Sequence, residues 1–176
     1  MKKTINESEM TFGEFDEDAL FHIEKSKIYN DIGSGIKTVE FILRHNNNRI
    51  YFVEAKKSCP NAANKDESVD KQTKFEEYYS SITDKFIESF QIYLAAILNK
   101  FHDTSEIGEG LRITPDMQKI NMEFILVIKN ADDIAWLAYP LAELKNRLLK
   151  MRKIWGIKVK VFNEELAKKG GLICRA

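Results

Sequence analysis

The most constraining stretch of this chain is residues 36–56, where two runs of β-branched and aromatic residues, IKTVEFILR and RIYFVEAK, flank His45-Asn46-Asn47-Asn48. Asparagine tolerates the left-handed backbone of a tight turn, so the pattern predicts a β-hairpin. Side chains alternate across a strand. Glu54 and Lys56 therefore share one face with Ile50 and Phe52, while Tyr51, Val53 and Ala55 lie on the other. The second strand is apolar on both faces until its end, where a carboxylate and an ammonium arrive. Burying such charges costs several kcal/mol each unless they are paired or hold an ion. Glu40 is a second intruder, set among Val39, Phe41, Ile42 and Leu43. If Ile42 lies opposite Phe52 and Arg44 opposite Ile50, Glu40 meets Glu54; a slip of one residue sends the two glutamates to opposite faces. The first register needs a five-residue turn or a bulge.

The rest of the chain supplies a context for that hairpin. Residues 1–18 are acidic and aperiodic, which suggests a loosely held arm or a short helix. Residues 19–26 (ALFHIEKS) read as a short strand or a helix edge, and residues 26–35 (SKIYNDIGSG) as a helical turn ending at Gly33 and Gly35. Residues 59–70 are polar, broken by Pro60, and predict a loop. From 71 to 102, Phe75, Tyr78, Tyr79, Ile82, Phe86, Phe90, Tyr93, Ile97 and Phe101 recur at helical spacing and predict one long amphipathic helix. Residues 103–115, with Gly108, Gly110 and Pro115, are a connection. INMEFILVIKN is a buried strand, residues 132–155 a second helix with a restart at Pro140, IKVKVF a last strand, and NEELAKKG a short helix ending at a glycine pair. The order β-β-α-β-α-β predicts an α/β fold over residues 1–176: a mixed β-sheet with flanking helices in a single domain.

Composition removes several function classes. No apolar run approaches the ~20 residues that would cross a bilayer, and MKKTINESEM lacks the apolar segment of a secretion signal. Cys59 and Cys174 have no CxxC spacing and read as reduced thiols of a cytoplasmic protein. His22, His45 and His102 have no zinc-ligand spacing, and DIGSG follows no strand and lacks a P-loop lysine. The 27 basic and 27 acidic residues cancel, so no global field draws the chain onto a polyanion. The signs are nevertheless segregated, with acids crowded before residue 25 and bases after Leu144. Lys145, Arg147, Lys150, Arg152 and Lys153 on the second helix, with Lys158 and Lys160 on the last strand, form either a solvated face or a nucleic-acid contact. Lys57 is a further candidate contact.

Two opposed carboxylates repel each other, and a hard divalent cation removes that objection. Such a cation could lower the pKa of a bound water and neutralise charge on a phosphodiester, with Lys56 beside it to position the water or stabilise the pentacovalent phosphorus.

Glu40, followed by Glu54-Ala55-Lys56 at the end of the next strand, resembles the (D/E)…(D/E)xK signature of the PD-(D/E)xK, or restriction-endonuclease-like, nuclease superfamily. Residues 36–128 repeat its order of hairpin, long helix and strand. Two positions depart from the pattern: Val39 stands where a proline commonly precedes the first acid, and that acid is Glu rather than Asp. The resemblance implies a restriction-endonuclease-like core with Mg²⁺ (or Mn²⁺) held by Glu40 and Glu54, and Lys56 as the catalytic lysine. It also implies Glu24 as an additional N-terminal ligand and Lys85 or Gln91 as an accessory group on the following helix. The run Gln91-Ile92-Tyr93-Leu94-Ala95 does not complete the QxxxY form of recombination nucleases. The implied activity is hydrolysis of phosphodiester bonds in nucleic acid, DNA favoured, in restriction, repair or defence. A short, electrically neutral chain would need a homodimer or a partner protein for targeting. A rival reading is a module that keeps the fold and binds nucleic acid or protein without cutting. A third is an enzyme acting on a small phosphorylated molecule.

Overall fold

The computed structural model describes residues 1–46, 48–60, 68–112, 119–131 and 133–174. In chain order its elements are β1 (Lys2–Glu7), β2 (Met10–Asp16), β3 (Leu20–Phe21), α1 (Lys27–Ile32), β4 (Phe41–His45) and β5 (Arg49–Lys56). There follow α2 (Val69–Ile97), β6 (Asn121–Ile128), α3 (Ala138–Arg147), α4 (Leu149–Trp155), β7 (Lys158–Asn163) and α5 (Glu164–Lys169). Strands β3 to β7 lie side by side in sequence order. The β3/β4 and β4/β5 pairs are antiparallel, and β5/β6 and β6/β7 are parallel. The chain is α/β, with a mixed five-stranded sheet and flanking helices.

The hairpin forms in the register that brings the glutamates together. Ile42 pairs with Phe52 and Arg44 with Ile50, and His45 with Arg49 closes the loop. Asn46 supplies the left-handed residue at φ 57°. Glu40 sits just before β4, and its N–H donates to the Val53 carbonyl at 3.1 Å, extending the ladder to the position opposite Glu54. Because β4 starts where the parallel strands end, the start of β4 and the ends of β5 and β6 share one edge of the sheet.

Each face of the sheet has its own cover. On one face Ile42, Ile50, Phe52, Phe124 and Leu126 pack under α2, whose Phe75, Tyr79, Ile82, Phe86, Phe90 and Tyr93 are buried along a helical stripe. Ser68 caps that helix, accepting from the Lys71 N–H at 3.4 Å. The helix ends short of residue 102 because Asn99 turns left-handed (φ 55°). The Lys100 N–H then reaches the Ala95 carbonyl at 2.9 Å and the Asn99 N–H the Ala96 carbonyl at 3.0 Å, a Schellman closure that leaves Phe101 outside.

The other face is where the expectation for the N-terminus fails. Residues 1–18 are not a loose arm or a helix: β1 and β2 form an antiparallel hairpin. Its Ile5, Met10, Phe12 and Phe15 are buried against Phe41, Leu43, Tyr51, Val53, Ala55, Ile125 and Val127. Met10 and Phe12 alternate, but an irregularity between the Ile5–Phe12 and Lys3–Phe15 pairs shifts the phase to Phe15, and interspersed acids on the solvent side obscure the signal further. The hairpin is also tied to the end of the chain, since the Gly13 N–H donates to the Leu172 carbonyl at 3.1 Å and Phe12 bridges to Ile173.

The predicted second helix is likewise corrected. A 3₁₀ turn (Ile134–Leu137) leads into α3, Pro140 falls in the first turn where its missing N–H is tolerated, and Leu148 separates α3 from α4. Most of the polar loop predicted for 59–70, together with residue 132 and Pro115, lies outside the described residues. No helix among the described residues is long and apolar enough to cross a membrane.

Candidate metal centre

Four carboxylates from four segments meet at the edge where β4 begins and β5 ends. Glu54 is fully buried on β5, Glu40 is 4% exposed beside it, and the backbone N–H of Glu24 donates to the Glu40 carbonyl at 3.4 Å, fixing a third carboxylate there. The fourth is Glu7, the last residue of β1. One carboxylate oxygen from each of Glu7, Glu24 and Glu40 lies within 4.8 Å of the others.

The cations in this cluster are unevenly shared. Lys85 of α2 approaches both oxygens of Glu54, at 2.9 and 3.1 Å, and Lys56 reaches Oε1 of the same carboxylate at 2.7 Å. Glu54 therefore has two ammonium partners, which accounts for its complete burial. Among the described residues, the ion pair of Glu40 is a distant one with Lys85, at 3.9 Å, and that of Glu24 is with Lys25, at 3.6 Å. The Oε2 of Glu40 is buried with no donor to satisfy it. The Glu24 carboxylate is a further neighbour of Glu40, and two carboxyls can share a hydrogen bond only if one carries a proton.

The titration behaviour follows from that arrangement. Burial, the Glu54 charge and the hydrogen bond with Glu24 push Glu40 up to about 9. Burial would raise Glu24 as well. The hydrogen bond from Glu40 and the Lys85 and Lys25 charges outweigh it, and Glu24 ends below the usual carboxylate range. Glu7 is raised, by burial first and then by the Glu24 charge. Burial opposes the charge on Lys85, but Glu54, Glu40 and Glu24 together hold its pKa above the ordinary lysine value. Without an added cation, burial and the neighbouring carboxylates therefore favour the protonated form of Glu40.

The donor set is all carboxylate oxygen, the ligand chemistry of hard cations such as Mg²⁺ and Mn²⁺ rather than zinc or copper. In an octahedron with ~2.1 Å ligand distances, opposite oxygens stand about 4.2 Å apart, so small side-chain rotations would close the Glu7–Glu24–Glu40 group around one ion. The orphaned, buried Oε2 of Glu40 fits the same conclusion. Glu40, Glu24 and Glu7 could hold the ion, with Glu54 completing the acidic wall.

Of the residues singled out in the sequence, Glu24, Glu40, Glu54, Lys56 and Lys85 converge here. Gln91 does not: it is exposed on α2, six residues and about 240° of helix rotation beyond Lys85. Lys158 and Lys160 lie on the opposite face of the sheet, since their neighbours Val159 and Val161 pack on the α2 side. Lys160 pairs with the buried Glu123. Lys145 and Arg152 sit on α3 and α4, where Arg152 donates to the Lys145 carbonyl at 3.2 Å, and among the described residues neither is hydrogen-bonded or ion-paired to the carboxylates. Lys57 adjoins the cluster but faces the N-terminal hairpin, paired with Glu9. Glu7 is the residue that the sequence did not single out. The only local sign was the M-x-F alternation that marks its hairpin.

Comparison with models of protein families, with curated proteins and with solved structures finds no significant match to this chain.

Proposed function

We propose that this protein is a divalent-cation-dependent nuclease with a restriction-endonuclease-like core, hydrolysing phosphodiester bonds of nucleic acid, DNA favoured. The observation that carries the reading is the meeting of two buried glutamates at one end of the β4/β5 hairpin, Glu54 neutralised by Lys56 and Lys85 and Glu40 reached by Lys85 only at 3.9 Å, with its Oε2 unsatisfied among the described residues. A purely structural cluster would be expected to give both acids close ion pairs, whereas here only Glu54 has them and Glu40 is left to favour its protonated form.

When bound, Mg²⁺ or Mn²⁺ would supply Lewis acidity toward a phosphate oxygen and a more acidic water. The chain's own groups do the rest. Glu40, Glu24 and Glu7 would hold the ion, with Glu40 binding it in its ionised form. Lys85 is a positioning residue, clamping Glu54 through both oxygens. Lys56, about one-third exposed, is the ammonium that can leave Glu54 and face an incoming phosphate, orienting the water or offsetting the charge that develops on phosphorus. The zero net charge assigns substrate capture to local basic groups, a second copy of the chain or a partner protein. A setting in restriction, repair or defence accords with this chemistry.

A cleavage assay with Mg²⁺ or Mn²⁺ on single- and double-stranded DNA and RNA, with Lys56→Ala beside the wild type, tests the proposal. The expected result is metal-dependent cutting that falls at least about 100-fold in the variant, the scale on which positioned proton-transfer and charge-stabilising groups act, while circular dichroism shows the variant folded. Equal turnover by the two proteins, or no cutting of any polynucleotide, contradicts it.

A further inference from the structure

The turn that brings Glu7 to the site has an unusual construction. Only Ser8 and Glu9 connect β1 to β2, and both are left-handed, at φ 50° and 61°. Tight hairpin turns of this hand favour Asn-Gly, and side chains such as Ser and Glu resist the conformation. Here both side chains are used. The Ser8 hydroxyl donates to the Ala55 carbonyl at 3.0 Å, fastening the turn onto the end of β5. Glu9 gives one oxygen to Lys57 and the other to Lys129, the latter at 3.0 Å.

Those lysines are placed by backbone geometry. Lys56 pairs with Ile128 across the parallel β5/β6 ladder, so the next residues, Lys57 and Lys129, project side by side from the same edge. The Lys129 N–H donates to the Lys56 carbonyl and the Asn130 N–H to the Lys57 carbonyl, both at 2.9 Å, holding the two backbones together past the strand ends. The result is a two-ammonium seat, one residue from Lys56, with a single carboxylate in it and one positive charge in excess. The side chains of Lys57, Glu9 and Lys129 are 57%, 55% and 27% exposed, so water reaches the seat and another anion can replace the carboxylate at little cost.

We propose that Lys57 and Lys129 form a subsite for the phosphate next to the one being cleaved, and that Glu9 occupies this subsite in the free protein and yields to the nucleic acid. The inference rests on the nuclease reading for its orientation, and it adds Lys129 and Glu9 to the functional surface. It makes the N-terminal hairpin a device with two tasks at one turn, Glu7 toward the cation cluster and Glu9 toward the phosphate seat.

The test is fluorescence anisotropy with a labelled single-stranded DNA oligonucleotide in Ca²⁺, across a salt series. The full chain is compared as wild type, Glu9→Gln, and Glu9→Gln combined with Lys57→Gln and Lys129→Gln. Glu9→Gln is expected to bind about three- to tenfold more tightly and to steepen the slope of log affinity against log salt by about 0.7 for each further phosphate that the protein neutralises. The two lysine substitutions should cancel both changes, while circular dichroism shows all three proteins folded. In Mg²⁺, Glu9→Gln should lower KM with kcat unaltered. Unchanged affinity and salt slope in Glu9→Gln overturn the subsite, as does tighter binding that survives loss of both lysines. Tighter binding without cleavage by any protein would uphold the seat and refute the nuclease reading. Cleavage with a silent Glu9→Gln would do the reverse.

Discussion

The two faces of the sheet meet the same edge with opposite electrical imbalances. Around the cation cluster, Glu7, Glu24, Glu40 and Glu54 outnumber Lys25, Lys56 and Lys85, and the deficit falls on the buried Glu40. On the hairpin face, Lys57 and Lys129 outnumber Glu9, and the surplus falls in solvent. A buried surplus of acid raises a carboxyl pKa and asks for a cation, whereas an exposed surplus of base costs little and invites an anion. Neighbouring sites of this kind are complementary to a metal-bound phosphodiester. The difference also shows why ion pairs cannot be counted as equivalent: those around Glu54 permit its burial, and those around Glu9 hold a replaceable contact.

The largest effect should come from breaking the two buried glutamates separately. Glu54→Ala strands Lys85 inside the protein and should cost about 3–5 kcal/mol, read by urea unfolding. Glu40→Gln removes an acid whose charged form is disfavoured by burial and by Glu54, so at pH 8 without divalent cations it should raise stability by on the order of 1 kcal/mol. Both should abolish cleavage. Opposite signs in stability with the same sign in activity would distinguish a site built for an ion from a packing defect. Equal destabilisation by both would erase the contrast.

Next in size is a pH effect. Glu40 is raised, so the folded state binds its proton more tightly than the unfolded state does. Its contribution is intact below the ordinary carboxylate pKa of about 4.5 and is lost as pH climbs toward about 9. Cation-free protein should therefore lose stability across that window, by no more than about 1.4 kcal/mol per pH unit from this group. Melting temperatures measured from pH 5 to pH 9 should fall for wild type and stay flatter for Glu40→Gln. Mg²⁺ should restore the wild type most at the alkaline end, where no proton competes for Glu40.

These contrasts also bear on how much was legible in the sequence. The pairing of Glu40 with Glu54 could be posed from residues 36–56 because a period of two leaves only two choices of face, but apolar neighbours on both faces left the choice between them to the structure. Lys85 was legible as a helix residue after the lysine, but Gln91 was an equal candidate until the rotational phase of α2 on the sheet was known. Glu7 and Lys129 were hidden for a different reason. Each reaches the site through tertiary pairing, one by the hairpin folding over β5 and the other by a parallel crossover, and neither has a local signature. The acids of residues 1–18 concealed a strand alternation that burial makes plain.

The smallest effect should be at the basic groups remote from this edge. Lys158→Ala, on the far face, and Lys145→Ala, on α3, should leave KM for an oligonucleotide within about twofold, as for exposed charges at separations where salt screens them. A tenfold rise for either would move the substrate path away from the Lys57–Lys129 edge.

Isothermal titration with Mg²⁺ or Mn²⁺ near pH 7.5, in two buffers of different ionisation enthalpy, tests the central claim most directly. The expected result is one saturable site per chain, release of close to one proton as Glu40 ionises, and loss of both in Glu40→Gln. Wild-type protein that takes up no cation, or Glu40→Gln that binds as tightly with the same proton release, would contradict it.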